Sequence, residues 1–223
     1  MTPHRPIPTL SEERALLEAG YRLIAGVDEA GRGTWAGPVA AAAVVLPVRS
    51  ADKLAALDGV RDSKALPPRR REELERRIAE TALAVGFGLA LASEIDAFGI
   101  LPATRLAMRR AIANLSITAD FLLVDAVRLP EEIVNQKSIV RGDALCFSVA
   151  AASIVAKVRR DRLMAELDGL YPGYGFARHK GYGTAQHWAA LRALGPCPIH
   201  RRTFAPVRAC LDSPAAAVWS AQP

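Results

Sequence analysis

Cysteine is scarce in this chain of 223 residues: Cys146, Cys197 and Cys210 are the only three, an odd number at wide spacing. No C-x-x-C pair occurs among them, which excludes the usual zinc sites and a disulfide framework and leaves reduced, buried thiols. Long apolar runs are missing as well. None reaches the ~18 residues that a membrane-spanning helix requires. The opening stretch "MTPHRPIPTL" lacks the basic-then-apolar order of a secretory signal, so a cytoplasmic protein that engages no membrane is expected. Neither an internal repeat nor a long low-complexity segment occurs.

What is present is half apolar, 51% of the residues, which predicts a packed globule. The length suffices for one well-buried core and does not demand a second domain. The net charge of +6 is compatible with a polyanionic partner, although mild basicity is common. Residues 1–20 read as an N-terminal arm followed by a short helix, Ser11–Ala19, with Ser11 as N-cap and Gly20 as its stop. Tyr21–Val27 reads as a strand and Val39–Leu46 as a second, apolar on both faces and therefore central.

Pro67-Pro68 opens a charged helix whose thin apolar side carries Leu74 and Ile78. Residues 83–92 form a glycine-containing strand, Ser93 caps the next helix, and Leu101–Asn114 is helical. Phe121–Val124 is a short buried strand that delivers Asp125, and Asp143 stands at the mouth of "ALCFSVAAASIVAKV", apolar almost all round and so a buried helix. Thr184–Leu194 is a final helix ended by Gly195-Pro196. Strands mixed with helices indicate one α/β domain over residues 21–211, with 212–223 as a flexible tail.

Asp28-Glu29, Asp125 and Asp143 share one context, the end of an apolar element. Taken singly, Asp143 is a helix N-cap and Asp125 the start of a turn. Asp28-Glu29 resists such a reading, because adjacent carboxylates repel and favour no strand. Strand ends are where sites assemble in α/β sheets. Carboxylates gathered in one place require neutralisation, and an all-oxygen donor set suits hard divalent cations rather than zinc.

Six stretches carry a resemblance: "GVDEAGRG…AGPV", "DSK", "LLVDA", "GDA…AAASIVAKVRRDRLM", "YGFARHKGYGT" and "GPCPIHRRTFAPV". In this order, from about Tyr21 to Val207, they resemble the motifs of ribonuclease HII. The resemblance implies a ribonuclease H-like α/β fold: a mixed central sheet flanked by helices, with a helical C-terminal extension. It implies an endoribonuclease that cuts the RNA strand of RNA–DNA hybrids and incises 5′ of single ribonucleotides embedded in duplex DNA. The family's catalytic, metal-holding acids fall on Asp28, Glu29, Asp125 and Asp143. The implied cofactor is Mn2+ or Mg2+, two ions with substrate bound. Metal-activated water then attacks the phosphorus, leaving 3′-hydroxyl and 5′-phosphate ends. The four histidines are scattered, without the pairing that metal-free cleavage would use.

The resemblance also assigns substrate contacts. Gly31, Arg32 and Gly33 would read the ribonucleotide's 2′-hydroxyl through their backbone while Arg32 holds a phosphate. Tyr182 would pack on the sugar 3′ of the ribonucleotide, and Ser63 and Lys64 would contact phosphates. Outside the resemblance these are a glycine turn, an aromatic in a basic loop, and an ordinary serine and lysine. Arg159-Arg160 would hold neighbouring loops together, His200-Arg201-Arg202 would touch phosphate or buttress the site, and Trp188 and Leu191 would pack a helix onto the core. Two departures stand out: Thr34-Trp35 replaces the more usual Pro-Leu, and Ala126 the glycine that commonly follows the aspartate. A hybrid-binding module without catalysis is expected to lack at least one of the acids, and all four are here. The related ribonuclease HIII is disfavoured by the intact Gly31-Arg32-Gly33 and the short arm before Tyr21. A monomer is expected on family grounds.

Overall fold

The structure is a computed structural model that describes residues 6–130 and 135–212. The first five residues of the expected arm and the expected tail from 213 lie outside the described residues. In chain order the elements begin with α1 (Ser11–Glu18), β1 (Ile24–Ala30), β2 (Val39–Val45) and α2 (Ala51–Ala55). A 3-10 turn (Ser63–Ala65) leads to α3 (Pro68–Thr81), β3 (Ala84–Ala90), α4 (Ala92–Phe98) and α5 (Ile100–Ala113). Then come β4 (Phe121–Asp125), β5 (Gln136–Ile139), α6 (Gly142–Leu145) and α7 (Phe147–Leu170). The chain closes with α8 (Phe176–His179), α9 (Ala185–Leu194) and α10 (Ala205–Leu211). These form two compact units, one from Met1–Ala30, Ala40–Leu89 and Arg105–Val158, the other from Gly31–Val39, Ala90–Thr104 and Arg159–Pro223.

The first unit carries a five-stranded mixed sheet in the order β3-β2-β1-β4-β5. Every residue of β2, "VAAAAVV", is buried, as expected for a strand flanked on both sides. β1 is central; it runs antiparallel to β2 and parallel to β4. Its span corrects the expected strand. The antiparallel ladder continues through Ala30, paired with Ala40, so Asp28 and Glu29 lie within β1 rather than beyond its end. β5, "QKSI", was not anticipated: it is a half-exposed strand at the end of the sheet order, with too few apolar residues to show a period.

α7 packs on this sheet. A Cβ on Gly26 of β1 would fall 2.1 Å from the carbonyl carbon of Ser148, so glycine is what permits the close approach. Ala150, Ile154 and Val155 of α7 join Val44 of β2 and Leu74 and Ile78 of α3 in one buried cluster. α3 starts with Pro68 in its first turn and buries Leu74 and Ile78, as its thin apolar side predicts.

The helices differ from expectation at several points. Leu10, not Ser11, is the N-cap of α1, and Leu91, not Ser93, precedes α4, where its amide donates to Glu94 Oε2 at 2.8 Å. The expected buried helix is broken at Cys146, whose backbone is extended, so Asp143 sits inside the short helix α6. α9 is not the last helix, because α10 follows it. In the second unit Met164, Tyr174 and Phe176 form one cluster with Ala36. Leu191, Val207 and Cys210 form another with Trp35 and Trp188, as expected for Trp188 and Leu191. All three cysteines are buried and free.

Candidate active site

Parallel pairing brings the first acids together. The register runs from Ile24–Phe121 to Val27–Val124, and the next step along each strand is Asp28 on β1 and Asp125 on β4. Oxygens of Asp28, Glu29 and Asp125 lie within 4.8 Å of one another. Asp28 is buried, 4% exposed, and its Oδ1 accepts the Glu29 amide at 2.7 Å. Asp125 Oδ1 accepts the Gly142 amide at 2.7 Å, which ties the end of β4 to the start of α6. Asp143, the next residue along, is buried but stands outside the cluster of three. Its Oδ2 lies 3.6 Å from Lys64 Nζ. Asp125, Asp143 and Lys64 line one cleft of about 440 Å³ with Arg61 and the exposed Ile7 and Val140.

The electrostatics of this cluster are unfavourable without a cation. Burial, then Glu29, then Asp125 hold the Asp28 carboxyl well above the usual carboxylate range. Burial and Asp143 raise Asp125 against the opposing pull of the Gly142 amide. For Lys64, burial favours the neutral amine, but Asp143, Asp28 and other acids outweigh it and raise its pKa. Close, partly buried, oxygen-only carboxylates fit a hard divalent cation, which would relieve their repulsion.

The residue that backs Asp28 is one the sequence reading missed. Ser153 of α7 donates its hydroxyl to Asp28. It is a lone polar residue in the buried run Ala150–Ala156 of an apolar helix, which is the signal that marks it. Ser63 is buried and hydrogen-bonded to Ser153, 2.9 Å between hydroxyls, whereas Lys64 is exposed.

In the second unit, the Gly31-Arg32-Gly33 loop is built around buried arginines. Arg201 donates to the carbonyls of Gly31 (2.6 Å), Arg32 (2.7 Å) and Gly37 (3.0 Å). Arg160 donates to the carbonyls of Pro38 (2.9 Å) and Lys180 (3.0 Å) and to Thr34 Oγ1 (2.9 Å). Thr34 Oγ1 in turn donates to the Gly31 carbonyl at 3.1 Å, so this departure from the usual motif is built into the loop's support. In a trans peptide the carbonyl and the following N–H point in opposite directions. With the Gly31 and Arg32 carbonyls held by Arg201, the amides of Arg32 and Gly33 are turned away from it. Gly31 has φ +89°, and a Cβ there would fall 1.9 Å from Arg160 Nε. Burial lowers both guanidinium pKa values, with Arg160 adding to the effect on Arg201, which falls to about 9. Arg160 thus holds loops together as expected, and Arg201 buttresses rather than faces a ligand.

Tyr182 is 43% exposed, and histidines hold its backbone. His187 Nδ1 meets the Tyr182 carbonyl at 2.9 Å and must donate, so its Nε2 accepts from His200 Nε2 at 3.0 Å. His200 Nδ1 then accepts the Cys197 amide at 3.0 Å. His179 Nε2 donates to the Tyr174 carbonyl at 2.8 Å, and its Nδ1 accepts the Gly181 amide at 3.2 Å. Burial keeps His187 and His200 neutral, lowering them to about 4 and about 3. Trp35 packs on His187, with ring centroids 5.3 Å apart. Ala126, the other departure, has φ 47°, a left-handed backbone that suits glycine better.

Comparison with known proteins agrees with this arrangement. The family model described as ribonuclease HII matches residues 25–207. A ribonuclease HII of Roseiflexus castenholzii is 57% identical over 200 residues, covering 90% of this chain and 89% of that one. One from Chloroflexus aggregans is 56% identical over 205 residues, covering 92% and 97%. The crystal structure of ribonuclease H2 from Pyrococcus horikoshii superimposes with a TM-score of 0.71 at 27% identity, covering 85% of this chain and 97% of that one. Sheet, acid cluster and relatives lead to one assignment: this chain belongs to the ribonuclease HII family of metal-dependent endoribonucleases, which hydrolyse the RNA strand of RNA–DNA hybrids.

Proposed function

We propose that this protein incises duplex DNA on the 5′ side of a single embedded ribonucleotide as well as cutting longer hybrids, leaving 3′-hydroxyl and 5′-phosphate ends. The observation that carries the catalytic part is the cluster of buried Asp28 with half-buried Glu29 and Asp125, whose oxygens lie within 4.8 Å of one another. These residues, with Asp143, would hold Mn2+ or Mg2+, and the bound cation supplies Lewis-acid activation of water and of the leaving oxygen. Asp28 and Asp125 keep their orientation through the Glu29 and Gly142 amides. Lys64, exposed beside Asp143, places a positive charge where a phosphate would lie.

Recognition of the ribonucleotide falls to Gly31, Arg32 and Gly33, which begin two residues after Glu29 in the chain. A 2′-hydroxyl both donates and accepts, and a glycine backbone lets main-chain groups reach it. The exposed ring of Tyr182 would pack against the sugar on the 3′ side, which favours a deoxyribose there. The protein is proposed to act as a monomer in the cytoplasm.

The test uses an end-labelled DNA duplex with one ribonucleotide, in Mg2+, Mn2+ or chelator, beside an Asp125→Asn variant. Metal-dependent cleavage 5′ of the ribonucleotide, lost in the variant, is the expected result. Cleavage of long hybrids alone would overturn the roles of Gly31, Arg32, Gly33 and Tyr182 and leave the metal site standing.

A further inference from the structure

We propose that Ser63 is a positioning residue for Asp28, acting through Ser153, rather than a group that contacts nucleic acid. This rests on the reading of Asp28 as a metal-holding carboxylate. Ser63, Ser153 and Asp28 are 3%, 3% and 4% exposed, so the whole chain of contacts is shielded from solvent and from a large substrate. Ser63 Oγ and Ser153 Oγ are 2.9 Å apart, and Ser153 hydrogen-bonds Asp28.

The proton order follows from counting. A hydroxyl carries one proton and a carboxylate only accepts. Ser153 therefore gives its proton to Asp28, and the proton between the two serines belongs to Ser63. Ser63 sets the rotation of the Ser153 hydroxyl, and that hydroxyl, with the Glu29 amide, sets the orientation of the Asp28 carboxylate.

Ser63 is itself held in place. Its carbonyl accepts from Arg71 Nη1 at 3.1 Å, and Asp62 Oδ1 accepts the Lys64 amide at 2.8 Å, closing the turn. The "DSK" stretch thus divides its work, with Ser63 turned inward and the Lys64 side chain 75% exposed. Partners of ligating side chains typically change metal affinity by about 10–100-fold when removed.

The test measures Mn2+ affinity by titration calorimetry and electron paramagnetic resonance. The proteins are the wild type, Ser63→Ala, Ser153→Ala, the double variant and Ser63→Thr. Alanine suits the helical site, since Ser153 follows Ala150, Ala151 and Ala152 in α7. Ser153→Ala is expected to weaken Mn2+ binding roughly tenfold, and Ser63→Ala a few-fold. The double variant should bind no worse than Ser153→Ala, because one break disables the chain. Ser63→Thr should recover most of the loss. KM for a ribonucleotide-containing duplex at saturating Mn2+ should stay within twofold of wild type in Ser63→Ala. Unchanged Mn2+ affinity with a raised KM in Ser63→Ala, or additive losses in the double variant, would overturn the proposal. A wild type that takes up no Mn2+ would overturn the metal reading beneath it.

Discussion

The two units hold clusters of opposite charge, and these are satisfied in opposite ways. The guanidiniums of Arg160 and Arg201 spend their donors on carbonyl and hydroxyl oxygens of residues 31–38 and 180. Their surroundings are complete within the protein. The carboxylates of Asp28, Glu29 and Asp125 crowd one another, and burial with like charge drives Asp28 well above its usual pKa. Local completeness marks a scaffold, whereas crowded like charge with a raised carboxyl pKa marks a place for something from outside. By this criterion the arginines shape a loop and the acids await a cation.

The largest expected effect breaks the acidic side. Asp28→Asn should reduce cleavage by on the order of 10⁴-fold, equivalent to about 5 kcal/mol of barrier. In metal-free buffer the same variant should melt higher than wild type, because it removes a buried repulsion. Differential scanning calorimetry with and without Mn2+ checks both halves: the wild type should gain stability with the ion, and the variant should lose most of that gain.

Next comes the basic side. Arg201→Ala leaves the carbonyls of Gly31, Arg32 and Gly37 without their donor and should destabilise the protein by about 4 kcal/mol. Urea denaturation reads this directly. Unlike the acid variant, it should lose stability with or without Mn2+.

The pH dependence separates the regions further. His187 and His200 titrate near 4 and 3 in the folded protein, below the ordinary 6.5. Between those values the unfolded chain binds more protons, so their contribution to stability is lost as pH falls from 6.5 toward 3. Asp28, raised in the fold, works in the other direction: between its ordinary value of 3.8 and its raised one the folded protein binds more protons, and stability declines as pH rises. Melting curves of wild type and His200→Gln should diverge below pH 6.5, and those of wild type and metal-free Asp28→Asn above pH 4. The smallest effect is at Ala126, where Ala126→Gly should relieve a left-handed alanine and stabilise by about 1 kcal/mol in urea denaturation.

Much of this was legible in the sequence. β2 announced itself as an all-apolar run, α3 by its opening proline and apolar stripe, and Asp125 by its place at the end of a short apolar strand. β5 was not legible because its four residues bury little and carry no period. The break at Cys146 was also hidden: an apolar run looks the same whether its helix is continuous or interrupted.

The sequence by itself determined which chemistry was present: the acids, the glycines around Arg32, the aromatic at Tyr182 and the motif order of a ribonuclease HII. Only the tertiary structure decided which of these groups act on one another. Parallel register set Asp28 level with Asp125, and a hydrogen-bond chain turned Ser63 inward while Lys64 stayed out. Burial made Arg201 a support and not a ligand group. Each of these depends on distance and on exclusion of water, and residues far apart in the chain acquire both only when the chain has folded.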